Sequence, residues 1–326
     1  MAAIKPSAEG FSISATAKML GVSIQTLRRL DHSGIPVSRS QGNHRRYTPE
    51  DVALLRKRQS AKQGNGCTTI SLVNQKGGVG KTTISINLGG ALAQLGYRVL
   101  VVDFDPQASA TFGLGLTWTK LESSMADVIG YEITGPTKTL SDVIQSLELH
   151  PNLFLAPSHL NLAGCEASIQ NKIGREKRLD RAIQKVRDDY DFILIDAPPS
   201  LGLLSINAIM ASDAIIIPID GAFALEGVRQ LFNTREECSV ESEHSLHILG
   251  GLLNKQRSGT QNAEALAVIT NETFEGQMFE TVLPERTAVD SSTMLRQPIV
   301  FSNQRDAQPY IKLAEEVTKR VEQIAR

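Results

Sequence analysis

The sequence predicts an α/β fold in which a doubly wound, mainly parallel sheet follows a small helical module of the winged helix-turn-helix kind. Short apolar, β-branched runs recur between residues 68 and 254, each of a length that suits one buried parallel strand. Helical stretches alternate with them, and a glycine-rich turn joins the first run to the first of those helices. Ahead of this region the chain changes character. Residues 1–62 hold 11 Lys and Arg against 4 Asp and Glu, leaving 23 basic and 31 acidic residues to the remainder. A basic module before an acidic domain points to a polyanionic partner for the module. These shifts divide the chain into a module at 1–60, a linker at 61–67 and an α/β domain at 68–326.

Composition excludes several other classes. With 41% apolar and 21% charged residues, the chain is ordinary for a globular protein. No apolar run approaches the roughly 18–20 residues of a membrane span, and no basic-then-apolar leader stands at the N-terminus. Cys67, Cys165 and Cys238 are too few and too scattered for a disulfide framework or a zinc pattern. A reducing cytoplasm is the expected setting.

Within the module, residues 12–20 read as a capped short helix, 21–23 as a tight turn, and 24–30 as a second helix capped by Ser23. The second helix directs Gln25, Thr26, Arg28 and Arg29 outwards, as a groove-reading helix does. Residues 34–47 read as a β-hairpin wing with a basic tip, and Thr48-Pro49 opens a third helix with a cap and a first-position proline. The run Gly42-Asn43-His44-Arg45-Arg46-Tyr47-Thr48-Pro49-Glu50-Asp51-Val52 resembles the wing and following helix of MerR-like DNA-binding domains. That resemblance implies a second helix in the major groove and a wing, with Arg45 and Arg46, on the phosphates. A small basic protein-binding module is the other reading. Residues 59–66, polar with two glycines, read as a flexible linker.

In the larger domain, residues 69–73 make the first strand and 84–96 a helix stopped by Gly96. Between them runs Asn74-Gln75-Lys76-Gly77-Gly78-Val79-Gly80-Lys81-Thr82-Thr83. A strand, glycine-rich turn and helix in this order aim backbone N–H groups and the positive helix end at an anion. Lys81 is placed to reach the β- and γ-phosphates of a nucleotide, and the Thr82 hydroxyl to hold Mg²⁺. Gln75 replaces the first glycine of the usual G-x-x-x-x-G-K-[ST] pattern, and a second lysine, Lys76, precedes Gly77. This stretch resembles the deviant Walker A motif of the ParA/MinD ATPases. The resemblance implies that Lys76, Gly77, Gly78, Val79, Gly80, Lys81, Thr82 and Thr83 bind ATP. It also implies that Lys76 completes the site of a second subunit in an ATP-sandwich homodimer.

Residues 98–102 make a second strand that ends at Asp103-Phe104-Asp105-Pro106-Gln107, where doubly wound sheets bind ligands. The period of two puts both aspartates on one side, so one supports the Mg²⁺ shell while the other approaches an attacking water. The ParA resemblance assigns the water to Asp105 and leaves the metal to Asp103. Residues 191–196 make a third strand whose last residue, Asp196, takes the Walker B position at the Mg²⁺ shell. Residues 152–157, 214–219 and 246–254 supply further strands. Asn254 is placed like the adenine-contacting asparagine of the family, a plain turn residue being the other reading. Residues 283–289 and 296–300 also resemble the late ParA segment. At the C-terminus, Ile311, Ala314, Val317, Val321 and Ile324 line one helix face. Lacking bulky residues and facing mixed charges, it reads as packing against the sheet and not as a membrane anchor.

The ParA resemblance spans about residues 68 to 324. It implies an ATPase with catalytic Lys76, Lys81 and Asp105 and metal residues Thr82, Asp103 and Asp196. Such an ATPase coats nucleoid DNA as a dimer and is released when a ParB-like centromere-binding or cargo-adaptor protein stimulates hydrolysis. It further implies sequence-independent DNA binding by basic residues assembled on dimerisation. Arg257 matches one such position, with Lys255, Lys312 and Arg320 as weaker candidates. Autorepression through the module would accompany partition. The alternatives are positioning of a protein cargo cluster and a mainly regulatory, ATP-gated repressor.

Overall fold

A computed structural model describes residues 10–20, 22–31, 38–39, 44–63, 66–130, 138–241, 245–256, 261–302 and 304–324. The module comprises β1 (Phe11–Ser12), α1 (Ile13–Met19), α2 (Ile24–Asp31), β2 (Ser38–Arg39), β3 (Arg45–Tyr47) and α3 (Pro49–Gln63). Its strands pair antiparallel in the order β1-β3-β2. The caps sit where the sequence places them. Ser12 Oγ accepts the Ala15 N–H at 3.2 Å and Ser23 Oγ the Thr26 N–H at 3.0 Å. Thr48 and Asp51 exchange a reciprocal pair at 2.8 and 3.2 Å. Phe11, Leu20, Leu27, Tyr47, Val52 and Leu55 close a small core. Residues 59–63, expected as flexible linker, are the last part of α3. Polarity misleads here, because Gln, Ala and Lys are also good helix formers. Of the expected wing, residues 34–37 and 40–43 lie outside the described residues.

The larger domain holds β4 (Thr68–Leu72), β5 (Val99–Asp103), β6 (Gln145–Ser146), β7 (Leu153–Ala156), β8 (Phe192–Asp196), β9 (Ala214–Ile219) and β10 (His247–Leu253). They form one sheet in the order β10-β9-β4-β8-β5-β7-β6, parallel throughout except for the edge pair β6–β7. That antiparallel edge is two exposed residues long, too short to leave a periodic signal. The central strands alternate between two cores: Leu100, Val102, Ile193 and Ile195 face one, and Val99, Val101 and Leu194 the other. Each such side chain is sealed from solvent, contributing about 1.5–3 kcal/mol. Both faces must therefore be covered. The helices Arg178–Gln184, Leu203–Met210 and Val228–Glu241 cover the first. Helix α4 (Lys81–Gln94) and the long helix Gln304–Ile324 cover the second, burying Ile311, Ala314 and Val317 as packing against the sheet requires. No helix among the described residues is long and apolar enough to cross a membrane.

The module rests on the far end of α4. Arg56 donates to the carbonyls of Met19 and, at 3.0 Å, Leu95, and its guanidinium lies 3.7 Å from the centre of the Tyr97 ring. Asn152 Nδ2 donates to the Pro49 carbonyl at 2.9 Å. Gly96 has φ of +87°, and a side chain there would meet Val52 Cγ1 at 2.4 Å. The glycine that stops α4 thus also admits the module.

Candidate functional site

The site grows from the loop between β4 and α4. Asn74 fixes its entrance: Nδ2 donates to the carbonyls of Pro218 (2.8 Å) and Ala224 (3.3 Å), and Oδ1 accepts the Lys76 N–H (2.9 Å). Gly78 and Gly80 turn the chain at φ of +78° and +92°, conformations that side chains resist. At Gly80 there is also no room, since a Cβ would lie 2.2 Å from Asn254 Nδ2. No side chain caps α4, so its first N–H groups and positive dipole end remain directed at the loop. The result is an anion cradle.

Its two lysines point in different directions. Lys81 is 7% exposed, and Nζ donates to the carbonyls of Asn74 (3.0 Å) and Lys76 (3.4 Å) inside the loop. Burial lowers its pKa, opposed by Asp196 and Asp105 nearby. Lys76 reaches outwards to Asp220, with Nζ 2.7 Å from Oδ1, and more than a third of its side chain is exposed.

Acidic groups come from the ends of β5 and β8, adjacent strands that set Asp103 and Asp196 in register. Asp103 is fully buried. Its Oδ2 accepts both the N–H and the hydroxyl of Thr111 at 2.7 Å, and Oδ1 accepts the Asp105 N–H at 3.3 Å. Asp196 accepts the Ser85 hydroxyl on Oδ1 at 3.3 Å, while its buried Oδ2 has no hydrogen-bond partner. Burial above all pushes both carboxyl groups up. Asp196 adds to the effect on Asp103, and Asp105 to that on Asp196, where the Thr82 hydroxyl opposes it. A hard divalent cation beside Thr82 and Asp196 would relieve this repulsion, and hydroxyl and carboxylate oxygens suit Mg²⁺. Among the described residues, no three or more His, Cys, Asp or Glu gather into a metal site. Asp105 is partly exposed, with Oδ1 accepting the Gln107 N–H at 2.9 Å.

The structure therefore brings Lys76, Gly77, Gly78, Val79, Gly80, Lys81 and Thr82 together with Asp105 and Asp196 at the carboxyl ends of the strands. Thr83 follows inside α4, where its carbonyl accepts Asn87 Nδ2 at 2.8 Å. Asp103 stands behind the group, bonded to its own loop. Asn254, expected at the adenine, lies under the loop and donates to the Val79 carbonyl at 2.7 Å. Its neighbour Lys255 donates to the Gly78 carbonyl at 2.9 Å. Sequence reasoning missed Asn74, Ser158 and Asp220. Asp220 carried a usable signal, for it follows β9 as Asp103 and Asp196 end β5 and β8.

On the module, Gln25, Thr26 and Arg28 are exposed along α2, while Arg45 and Arg46 are half-buried on β3. The Arg29 side chain and the whole of Arg257 lie outside the described residues. Arg320, a weaker DNA candidate, is turned inwards. It donates to the Leu249 carbonyl at 2.7 Å, pairs with Glu316 at 2.8 Å and covers Phe279 at 4.2 Å, so it holds the C-terminal helix to the sheet. Lys312 is exposed in an open groove of about 1070 Å³, with Lys319 and Arg286 but also Glu280 and Glu315.

Residues 67–248 match a family model described as AAA domain, and residues 11–71 match one described as MerR HTH family regulatory protein. The sporulation initiation inhibitor protein Soj of Bacillus subtilis (strain 168) is 39% identical over 251 residues, 76% of this chain and 97% of Soj. The chromosome partitioning protein ParA of Caulobacter vibrioides (strain NA1000 / CB15N) is 35% identical over 261 residues, 78% of this chain and 96% of that protein. Among solved structures, cobyrinic acid a,c-diamide synthase from Mycobacterium smegmatis, with bound ATP analog and magnesium, aligns with a TM-score of 0.66 at 30% identity. That alignment covers 76% of this chain and 93% of the synthase.

Proposed function

Because the chain belongs to the ParA/Soj family of P-loop ATPases, we propose that it hydrolyses ATP in a Mg²⁺-dependent cycle that partitions DNA. The observation that carries this reading is the opposed pair of lysines on one loop. Lys81 is drawn into its own cradle, whereas Lys76 is turned out to Asp220. Lys81 suffices for the phosphates of its own cradle, and on this reading Lys76 exchanges Asp220 for the nucleotide of a second copy.

Bound Mg²⁺–ATP supplies a γ-phosphoryl group whose transfer to water depends on positioning and charge neutralisation. The loop N–H groups and the α4 dipole hold its phosphates, and Lys81 exchanges loop carbonyls for phosphate oxygens. Thr82 is the residue that would hold Mg²⁺, with Asp196 Oδ2 as the acceptor for a water of its shell. Asp105 orients the attacking water. Asp103, bonded to Thr111 and Asp105, serves that shell through its loop. ATP-loaded copies pair across Lys76, and the dimer binds nucleoid DNA. A ParB-like partner then stimulates hydrolysis and releases it. The module recognises operator DNA through Gln25, Thr26, Arg28 and Arg29, with Arg45 and Arg46 on phosphates.

Asp105→Ala tests the cycle. It removes the carboxylate that positions water but leaves Lys81 and Thr82, so the variant is expected to accumulate as an ATP dimer on DNA. Turnover is expected to fall by about 10²–10⁴. Single-turnover hydrolysis close to the wild-type rate would contradict this.

The docking of the module favours a second reading. Helix α4, about 21 Å long at 1.5 Å per residue, begins at the anion cradle and ends beneath Arg56. An ATP-gated repressor would use that connection. Operator affinity that responds to nucleotide in the wild type and not in Arg56→Ala, without partner-stimulated hydrolysis, would support it.

A further inference from the structure

We propose that Thr111 and Ser158 are positioning residues for hydrolysis, clamping Asp105 on both sides of its backbone through a closed ring of hydrogen bonds. The proposal rests on the reading of Asp105 as the residue that orients water. The Asp105 N–H donates to Asp103 Oδ1 at 3.3 Å, and the Asp105 carbonyl accepts the Ser158 hydroxyl at 2.7 Å. Thr111 joins the two anchors: its hydroxyl donates to Asp103 Oδ2 at 2.7 Å and accepts the Ser158 N–H at 2.9 Å. Asp103, Thr111 and Ser158 are all fully buried, whereas Asp105 is partly exposed. The ring therefore holds a rigid base behind a carboxylate that faces the site.

Its construction separates orientation from nucleotide binding. The N–H bond restrains the torsion before the Asp105 Cα, and the carbonyl bonds, from the Ser158 hydroxyl and from the Ala108 N–H at 2.9 Å, restrain the one after it, while the side chain is held through Oδ1 to the Gln107 N–H. The anchors come from the end of β5, from α5 (Ser109–Gly113) and from the residues just beyond β7. None of these bonds involves Lys81, Thr82 or the glycine-rich loop. Loosening the ring thus displaces the water-orienting group and leaves the phosphate cradle intact, and a displacement of about 1 Å costs up to about 100-fold in rate.

The experiment uses the full chain with Ser158→Ala, Thr111→Val, Thr111→Ser, Asp105→Ala and the double variant Ser158→Ala/Asp105→Ala. Three quantities are read. They are affinity for a non-hydrolysed ATP analog, single-turnover hydrolysis, and amide hydrogen exchange of residues 103–111 without nucleotide. Ser158→Ala and Thr111→Val are expected to speed exchange in that segment and slow hydrolysis by about 10- to 100-fold, with analog affinity within about twofold of wild type. Thr111→Ser, which keeps the hydroxyl, is expected to restore both. In the Asp105→Ala background, Ser158→Ala is expected to slow hydrolysis no further. Should Ser158→Ala fail to fold, the Thr111→Val and Thr111→Ser pair carries the same comparison. Wild-type hydrolysis in Ser158→Ala and Thr111→Val beside a crippled Asp105→Ala overturns the ring alone, as does an additive double variant. Wild-type hydrolysis in Asp105→Ala overturns the reading on which the ring rests.

Discussion

Asn254→Ala separates two uses of one side chain. Its Nδ2 donates to the Val79 carbonyl at 2.7 Å, and the residue is only 5% exposed. Truncation strands a buried acceptor in the middle of the phosphate loop and opens space beside Gly80. A buried polar group left without its partner costs about 1–3 kcal/mol. For a domain of this size that lowers the melting temperature by about 2–12 °C. Part of the loss appears as weaker phosphate binding, because Val79 lies between the two glycines that set the curvature of the loop. A residue that supports the loop does not distinguish purines, so affinities for ATP and GTP analogs fall together. Thermal melting with calorimetric titration of both analogs reads this directly. An unchanged melting temperature with a loss confined to the ATP analog would refute the reasoning and place Asn254 at the base.

Two further predictions follow from the module and its seat. Burial holds the His150 imidazole down to about 4 from an ordinary 6.5, with Glu50 acting weakly the other way. Because the folded value is depressed, the associated stability is present above 6.5 and is lost as pH falls towards 4. Denaturant titrations between about pH 7.5 and about pH 5 are expected to show the wild type losing about 2 kcal/mol more than His150→Asn; equal losses would contradict the assignment. A chain starting at Gly66 is expected to keep ATP-dependent, salt-sensitive binding to random DNA and to lose any operator preference. If truncation abolishes all DNA binding while dimerisation survives, the module carries both activities.

What the sequence makes legible follows from the range of the interactions. Strands buried on both faces favour continuous apolar runs, so β5, β8 and β9 stand out, while β4 is marked by Ile70 and Leu72 alternating with buried Thr69 and Ser71. The glycines of the loop answer a local backbone requirement. The supports of the site have no such local mark. Asn74 meets Pro218 across 144 residues of chain, and Asn254 meets Val79 across 175. Nothing in either neighbourhood announces the partner. Ser158 is similar, an unremarkable serine until the fold lays it against Asp105. Polarity alone misleads in two places. Residues 59–63 are polar yet helical, and Arg320 is charged yet turned inwards, because the carbonyls of Leu249 and Met278 and the carboxylate of Glu316 receive it.

The central claim is that two lysines of one loop serve two different subunits. Light scattering with and without ATP, on the wild type, Lys76→Ala and Lys81→Ala, tests it most directly. The wild type is expected to become dimeric on ATP, Lys81→Ala to lose nucleotide binding, and Lys76→Ala to bind ATP yet remain monomeric and inactive. A Lys76→Ala protein that dimerises on ATP to the wild-type extent would contradict the account.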